Sequence, residues 1–293
     1  MPKTLNRKLL MSSARYFDNA AAINPYYHQE AVDVARAVEE HETIANLFCQ
    51  AGAEVVYTNA PETSQDGVYI ANWALVRGNK AVLARLPNAR HSEEAVAKKT
   101  LIELGYDVVE VPDGLKFSGQ GDALPYGDRL FCGQGYRSDP AAQEFAAEVF
   151  GFKLVQLQTI PELNADGQPV INSFSGWPDS FFYDIDLALS VIRPPEADGR
   201  GGIIAYCPEA FMPDSRQLLE TMDDIDKIKV TLQEATQGFA CNLVSTGETV
   251  IMSNHAPQLR GELEKRGLRV LTPDVRELIK GGGFIRCVSL TLE

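Results

Sequence analysis

The segment EVFGFKLVQL, residues 148–157, reads as the last turn of a helix, a glycine that closes it in the left-handed conformation, and a strand that returns to the core. The same phrase recurs as CQAGAEVVYT at 49–58, ELGYDVVEVP at 103–112 and EKRGLRVLTP at 264–273. Its glycines, Gly52, Gly105, Gly151 and Gly267, lie 53, 46 and 116 residues apart. The last interval is close to twice the others, so a degenerate copy is expected inside it, with MDDIDKIKVTLQ at 222–233 as the candidate.

Between these corners lie further strand-like runs: GVYIANWALV, KAVLARL, DRLFCG, LALSVIR, GGIIAYC and ETVIMS. Several strands per helix argue against a simple alternating parallel sheet, which needs one crossover helix between each parallel pair. A ring of five ββαβ-type modules accounts for the pattern better, because each unit hides its apolar face against its neighbours. Helix, glycine and strand also follow one another in ordinary α/β proteins, so that simpler fold stays open on the corners alone. No Ser/Pro-rich linker or low-complexity stretch interrupts the alternation, and a single domain over residues 1–293 is expected.

With 45% hydrophobic residues the chain can bury a sizeable core. A formal charge of -13 disfavours nucleic acid and anionic membrane surfaces as partners. No apolar run reaches the roughly 18 to 20 residues of a membrane span, and the start MPKTLNRKLLMSSARYF lacks a signal peptide's long apolar stretch, so a cytoplasmic protein is expected. Five cysteines, at 49, 132, 207, 241 and 287, carry no CxxC pair or metal-type spacing and fit free thiols in a reducing compartment. Neither a metal nor an organic cofactor is expected, since no ligand cluster and no phosphate-cradling glycine loop is present.

Seven segments resemble, in order, the amidinotransferase, arginine deiminase and dimethylargininase group of the pentein superfamily. They are YFDNAAAINPYY (16–27), DGVYIANWALV (66–76), FSGQGDAL (117–124), GYRSD (135–139), FFYDIDLAL (181–189), FACNLV (239–244) and GGGFIRCVSLTL (281–292). The resemblance implies a five-bladed α/β propeller and a thiolate that attacks a guanidino or ureido carbon. It makes Cys287 the nucleophile; Arg286 beside it would favour thiolate, and the three glycines before it would allow close approach by a ligand. It also puts Asp66 near a substrate α-amino group and Arg85 with Arg137 near its α-carboxylate, where paired guanidinium forks suit the chemistry. Tyr69 and Asn72 fall in the strand that packs against the head group. With Ala71 and Asn72 where carboxylates often stand, a neutral head group is plausible, although Asp184 restores one negative charge.

Two positions depart from that pattern. Asp184 stands where the resemblance implies the His that serves as general acid and base, two residues before Asp186. Ser118 stands where it implies a head-group-orienting Glu, leaving Gln120 and Asp122 as the nearest polar side chains. The four histidines, His28, His41, His91 and His255, lie in other segments, and NARHSEE around His91 reads as a solvated stretch. An ordinary Asp, with a pKa of about 3.9, is a weak base at neutral pH; desolvation, or a proton shared with Asp186, would raise it into a useful range.

Two functions follow. One is a Cys-dependent hydrolase or transferase acting on an arginine-, citrulline- or ornithine-related molecule through a covalent Cys287 adduct, with Asp184 and Ser118 as altered catalytic positions. The other is a sensor or regulatory binder that keeps amino-acid recognition through Asp66, Arg85 and Arg137 and has lost turnover. A small amino-acid-like ligand is the expected partner in both, and homo-oligomers are possible.

Overall fold

The computed structural model describes residues 5–28, 30–196 and 201–293. Its first strand, β1 (Lys8–Met11), is followed by helix α1 (Val34–Gln50) and β2 (Glu54–Tyr57). The chain then repeats one unit, an antiparallel strand pair, a helix and a third strand parallel to the second. The units are β3 (Ala74–Arg77), β4 (Lys80–Leu83), α2 (Ser92–Glu103), β5 (Asp107–Glu110); then β6 (Ala123–Tyr126), β7 (Arg129–Gln134), α3 (Pro140–Phe150), β8 (Lys153–Gln158); then β9 (Leu189–Arg193), β10 (Gly202–Tyr206), α4 (Pro213–Glu220), β11 (Ile225–Lys229). After α5 (Leu232–Gly238) come β12 (Val244–Ser245), β13 (Thr249–Ile251), α6 (Pro257–Lys265) and β14 (Arg269–Leu271). The last strand, β15 (Leu290–Thr291), pairs antiparallel with β1, so both ends of the chain build one unit of the same pattern.

Among the described residues this gives five three-stranded sheets in a mixed α/β fold, consistent with five modules. In each, the inner strands are mostly buried, as in β10 and β13, and the outer parallel strand is largely half-buried or exposed, as in β2 and β5. The helix is the crossover that any parallel pair requires. Leu10, Leu290 and Leu292 pack with Ile70, Trp73 and Leu101, which joins the sheet holding both chain ends to the next one. Leu75 and Val82 pack with Ala123, Leu130 and Ala146 across the following junction. The Leu5 N–H donates to the Thr246 carbonyl, bringing the last sheet back beside the first.

The four glycine corners have φ of 90°, 89°, 71° and 76° at Gly52, Gly105, Gly151 and Gly267 and follow α1, α2, α3 and α6. The degenerate copy is β11, which follows α4 through a turn with no left-handed residue. GVYIANWALV is not one strand: Ile70–Trp73 forms a 3-10 turn, because the Ala71 N–H is drawn to the Cys287 carbonyl at 3.1 Å before β3 begins. No helix among the described residues is long and apolar enough to cross a membrane.

One contact ties α1 to the segment that carries Cys287. The buried Glu40 carboxylate accepts the N–H groups of Arg276, Glu277 and Leu278 at the start of a 3-10 turn, Leu278–Gly281. The closing strand should be as sensitive as any core position. Leu290 is fully buried, and Leu290→Ala is expected to cost about 2 to 5 kcal/mol in urea unfolding, whereas Leu104→Ala, 38% exposed, should change little.

Candidate active site

Five buried side chains sit within three residues before the first strand of each sheet: Asn72 before β3, Asp122 before β6, Asp186 before β9, Asn242 before β12 and Cys287 before β15. Cys287 is 4% exposed. Asn242 organises it, with Nδ2 donating to Sγ at 3.1 Å and Oδ1 accepting the N–H groups of Arg286 at 3.0 Å and Cys287 at 3.3 Å. The thiol faces the Asp186 Oδ2 at 3.7 Å. Burial, and then the negative potential of Asp186, pushes its pKa well above the ordinary thiol range.

Asp184 is equally buried. Its Oδ2 accepts from Asn72 Nδ2 at 2.7 Å, and Asn72 Nδ2 also reaches the Ser118 Oγ at 2.9 Å. Its Oδ1 has no hydrogen-bond partner among the described residues. Desolvation raises the Asp184 pKa; Arg137 and the bonds from Ser118 and Asn72 oppose the rise. Asp122 and Asp186 are pushed up harder, first by burial and then by Asp184, since neighbouring carboxyls resist ionising together.

Cys287, Asp184, Ser118, Asn72, Asp66, Tyr69 and Arg137 line one cavity of about 20 Å³. Tyr27 Oη donates to Asp66, whose pKa burial lifts to about 6 against the pull of Arg90. Arg137 donates to the Ile23 carbonyl and lies over the rings of Tyr183 and Trp177, with centroids at 4.9 and 5.8 Å. The Tyr69 ring fills the space beside Gly281 and Gly283, where a Cβ would come within 2.6 and 2.4 Å of it, so these two glycines make room for Tyr69.

Arg85 does not join this cavity. Its guanidinium is held by Glu110 at 2.7 Å and Glu94 at 3.4 Å, with Asp113 at 3.8 Å. The second arginine lining the cavity is Arg90, buried against Glu93 and donating to Asn72 Oδ1 at 2.9 Å and the Tyr69 carbonyl at 2.8 Å. Its signal was the Arg90/Glu93 spacing at a helix start, inside a stretch whose polarity reads as solvated. Arg286 also points away from the role expected of it, since its guanidinium donates to Gln120 Oε1 at 2.8 Å and Thr291 Oγ1 at 2.7 Å. Among the described residues, no group of three or more His, Cys, Asp or Glu is arranged to hold a metal.

Five strand–strand–helix–strand sheets of a mixed α/β fold gather a buried cysteine and carboxylates at the strand entrances. The relatives and solved structures that the chain resembles support the pentein, dimethylargininase-like family. It is 28% identical over 294 residues to the bifunctional arginine dihydrolase/ornithine cyclodeaminase ArgZ of Synechocystis, covering 97% of this chain and 37% of that one. It is 29% identical over 293 residues to the N(G),N(G)-dimethylarginine dimethylaminohydrolase of Mycobacterium tuberculosis, covering 99% of this chain and 87% of the relative. A crystal structure of the N-terminal domain of ArgZ bound to substrate superposes with a TM-score of 0.82 at 26% identity, covering 97% of each chain. No protein-family model matches the chain.

Two measurements probe the site. Because the thiol pKa is raised, alkylation of Cys287 by iodoacetamide, followed by peptide mass spectrometry, should be slow at pH 7 and still climbing at pH 9. Asp186→Asn should speed it at pH 8, about tenfold per unit of pKa removed; a wild-type plateau below pH 7 would refute the assignment. For Asp66 the folded pKa lies above the unfolded one, so the stability it contributes is full below pH 3.8 and lost as pH rises to about 6. The difference is on the order of 3 kcal/mol. The melting temperature of Asp66→Asn relative to wild type should therefore improve between pH 4 and pH 7, and an unchanged difference would contradict the shift.

Proposed function

We propose that this chain is a single pentein domain over residues 1–293, its five sheets forming the blades of a closed propeller. We further propose that it hydrolyses the guanidino or ureido group of an arginine-related small molecule. The observation that carries the reading is that Cys287 and Asp184 share one cavity, with Asp184 keeping an unpartnered oxygen and a raised pKa there.

In this reading Asp66 receives the substrate α-ammonium and Arg137 its α-carboxylate, while Arg90, in place of Arg85, holds Asn72 and Tyr69 in position. A cationic head group among Asp184, Asp186 and the thiol would lower the cost of forming thiolate. The thiol proton passes to Asp184, the less strongly raised carboxyl and the one that shares the cavity with Cys287, and Sγ bonds to the head-group carbon. The carbon–nitrogen bond then breaks as Asp184 delivers that proton to the departing ammonia or amine. Asp184, again a carboxylate, takes a proton from water as the water attacks the adduct. The carbon–sulfur bond breaks, the thiolate takes its proton back from Asp184, and the product leaves with its hydroxyl proton passing to the released ammonia or amine. The cavity is about the size of one water molecule, so an amino acid needs the Ile23–Asn24 segment to move, releasing Arg137 from the Ile23 carbonyl.

A second reading has its own support. With Ser118 and Asp184 at the altered positions and the thiol pKa raised, the site can hold an amino acid without turning it over.

The two separate in one experiment. Wild type, Cys287→Ser and Asp184→Asn are incubated with arginine, methylarginines, citrulline and agmatine, while ammonia, amine and urea are followed. Release by the wild type, with at least a 100-fold loss in both variants, is the expected result. Thermal stabilisation by one of these compounds without release would favour the binder, and neither effect would sink both.

A further inference from the structure

A second cavity, of about 270 Å³, lies on the other side of the buried polar layer and shares no lining residue with the first. The chain deals its side chains alternately to the two: Ser118 lines one and Gln120 the other, Asp184 one and Asp186 the other, Cys287 one and Arg286 the other. Most of the wall is apolar, with Val76, Leu124, Leu189, Val191, Leu243 and Leu292.

Asn6, Arg77, Gln120, Arg286, Thr291 and Glu293 also reach the wall, and two further polar atoms there are unpaired. Asp186, 1% exposed, and Ser190, 5% exposed, both line the cavity, and Asp186 Oδ1 and Ser190 Oγ have no hydrogen-bond partner among the described residues. Buried polar atoms cost stability when unpaired, so a convergent pair of them in an apolar cavity marks where a ligand's polar head belongs. Charge selects the head. The Arg286 guanidinium and the Asp186 carboxyl attract each other in the wall, and two of the five guanidinium N–H donors already go to Gln120 and Thr291. The ionisable groups of the lining, Arg77 and Arg286 against Asp186 and Glu293, balance in formal charge, so a charged ligand would bring an uncompensated charge into this mostly apolar space, whereas a carboxamide offers a donor and an acceptor at no net charge. Size follows by scaling from a cavity of about 150 Å³ that holds benzene, which gives on the order of ten non-hydrogen atoms.

We propose that this cavity binds a small neutral amphiphile, an apolar body of about ten non-hydrogen atoms with one carboxamide-like head, whose head bonds Asp186 Oδ1 and Ser190 Oγ. Occupancy reaches the first cavity through one side chain, since the other oxygen of Asp186 is the one facing the Cys287 thiol at 3.7 Å. The inference does not require the chain to be a hydrolase.

The test uses 3-phenylpropionamide as the probe and 3-phenylpropionate as its charged match. Ligand-observed NMR should show saturable binding of the amide and at least tenfold weaker binding of the carboxylate. Val191→Trp, at a half-buried position of the wall, should abolish amide binding, and Ser190→Ala should weaken it about five- to tenfold. Ser190→Ala decides the matter alone if the larger substitution disturbs folding. Saturating amide should change the alkylation rate of Cys287 at pH 8 at least twofold, a reading that needs no turnover. Equal binding of amide and acid, binding indifferent to Ser190→Ala, an unchanged alkylation rate, or a cavity that takes up solvent only would each overturn the proposal.

Discussion

The structure turns on one constraint: five polar side chains carried to the entrances of five sheets are buried together and must satisfy one another, because water does not reach them freely. Asn242 and Asp186 hold the Cys287 sulfur. The Cys287 carbonyl takes the Ala71 N–H, Asn72 binds Asp184, and the Ile185 N–H binds Asp122. Each contact joins residues from different sheets, so the sheets are fixed to one another by the same bonds that set the site. A substitution in this layer therefore alters geometry in several modules at once.

That layer is rich in acid, and the acid is what distinguishes the site. Asp122, Asp184 and Asp186 are all 1–2% exposed, and each raises the difficulty of ionising the next. Arg137, Arg90 and Arg286 surround them, yet most of their donors go to backbone carbonyls, to amides, or to Glu93. The carboxyls are thus tempered by nearby cations without being locked into bidentate pairs, which leaves protons free to move. An imidazole at position 184 would supply a base near neutrality by its nature. Asp184 approaches that range only through desolvation, so its raised pKa depends on how closely the cavity excludes water.

Much of the fold was legible in the sequence, because glycine punctuates helices that must turn back into strands. Gly52, Gly105, Gly151 and Gly267 each take the left-handed conformation that the reading required. The degenerate copy at 222–233 could be placed only by spacing, since its turn needs no glycine. The motif segments also located the cysteine and its carboxylate neighbours. Arg90 escaped, and Arg286 was read toward the thiol where its head meets Gln120 and Thr291, for one physical reason: an arginine side chain is long, so its sequence neighbours do not determine what its head touches. Arg90 lies in a polar stretch that reads as solvated, yet Glu93 three residues on neutralises it in the interior. Arg85 looked as suitable until Glu110 and Glu94 claimed its guanidinium. Asn242 lay within a recognised segment, but nothing in FACNLV says that its amide spans a sulfur and two backbone N–H groups 44 and 45 residues away.

Repetition explains how such a site can change its chemistry and keep its fold. Each sheet owes its stability to its own strand pair, its crossover helix and its apolar junctions, all of which lie outside the polar layer. Each contributes its central side chain from the short segment before its first strand, where backbone hydrogen bonds have not yet joined the ladder. Exchanging one such side chain costs a hydrogen bond or a charge interaction, about 1 to 3 kcal/mol, against a core that stays intact. An exchange that leaves a neighbour unpaired costs more. Ser118 and Asp184 bear this out locally, since one Asn72 amide bridges both. Positions 118 and 184 therefore share one amide, and a substitution at either is felt at the other.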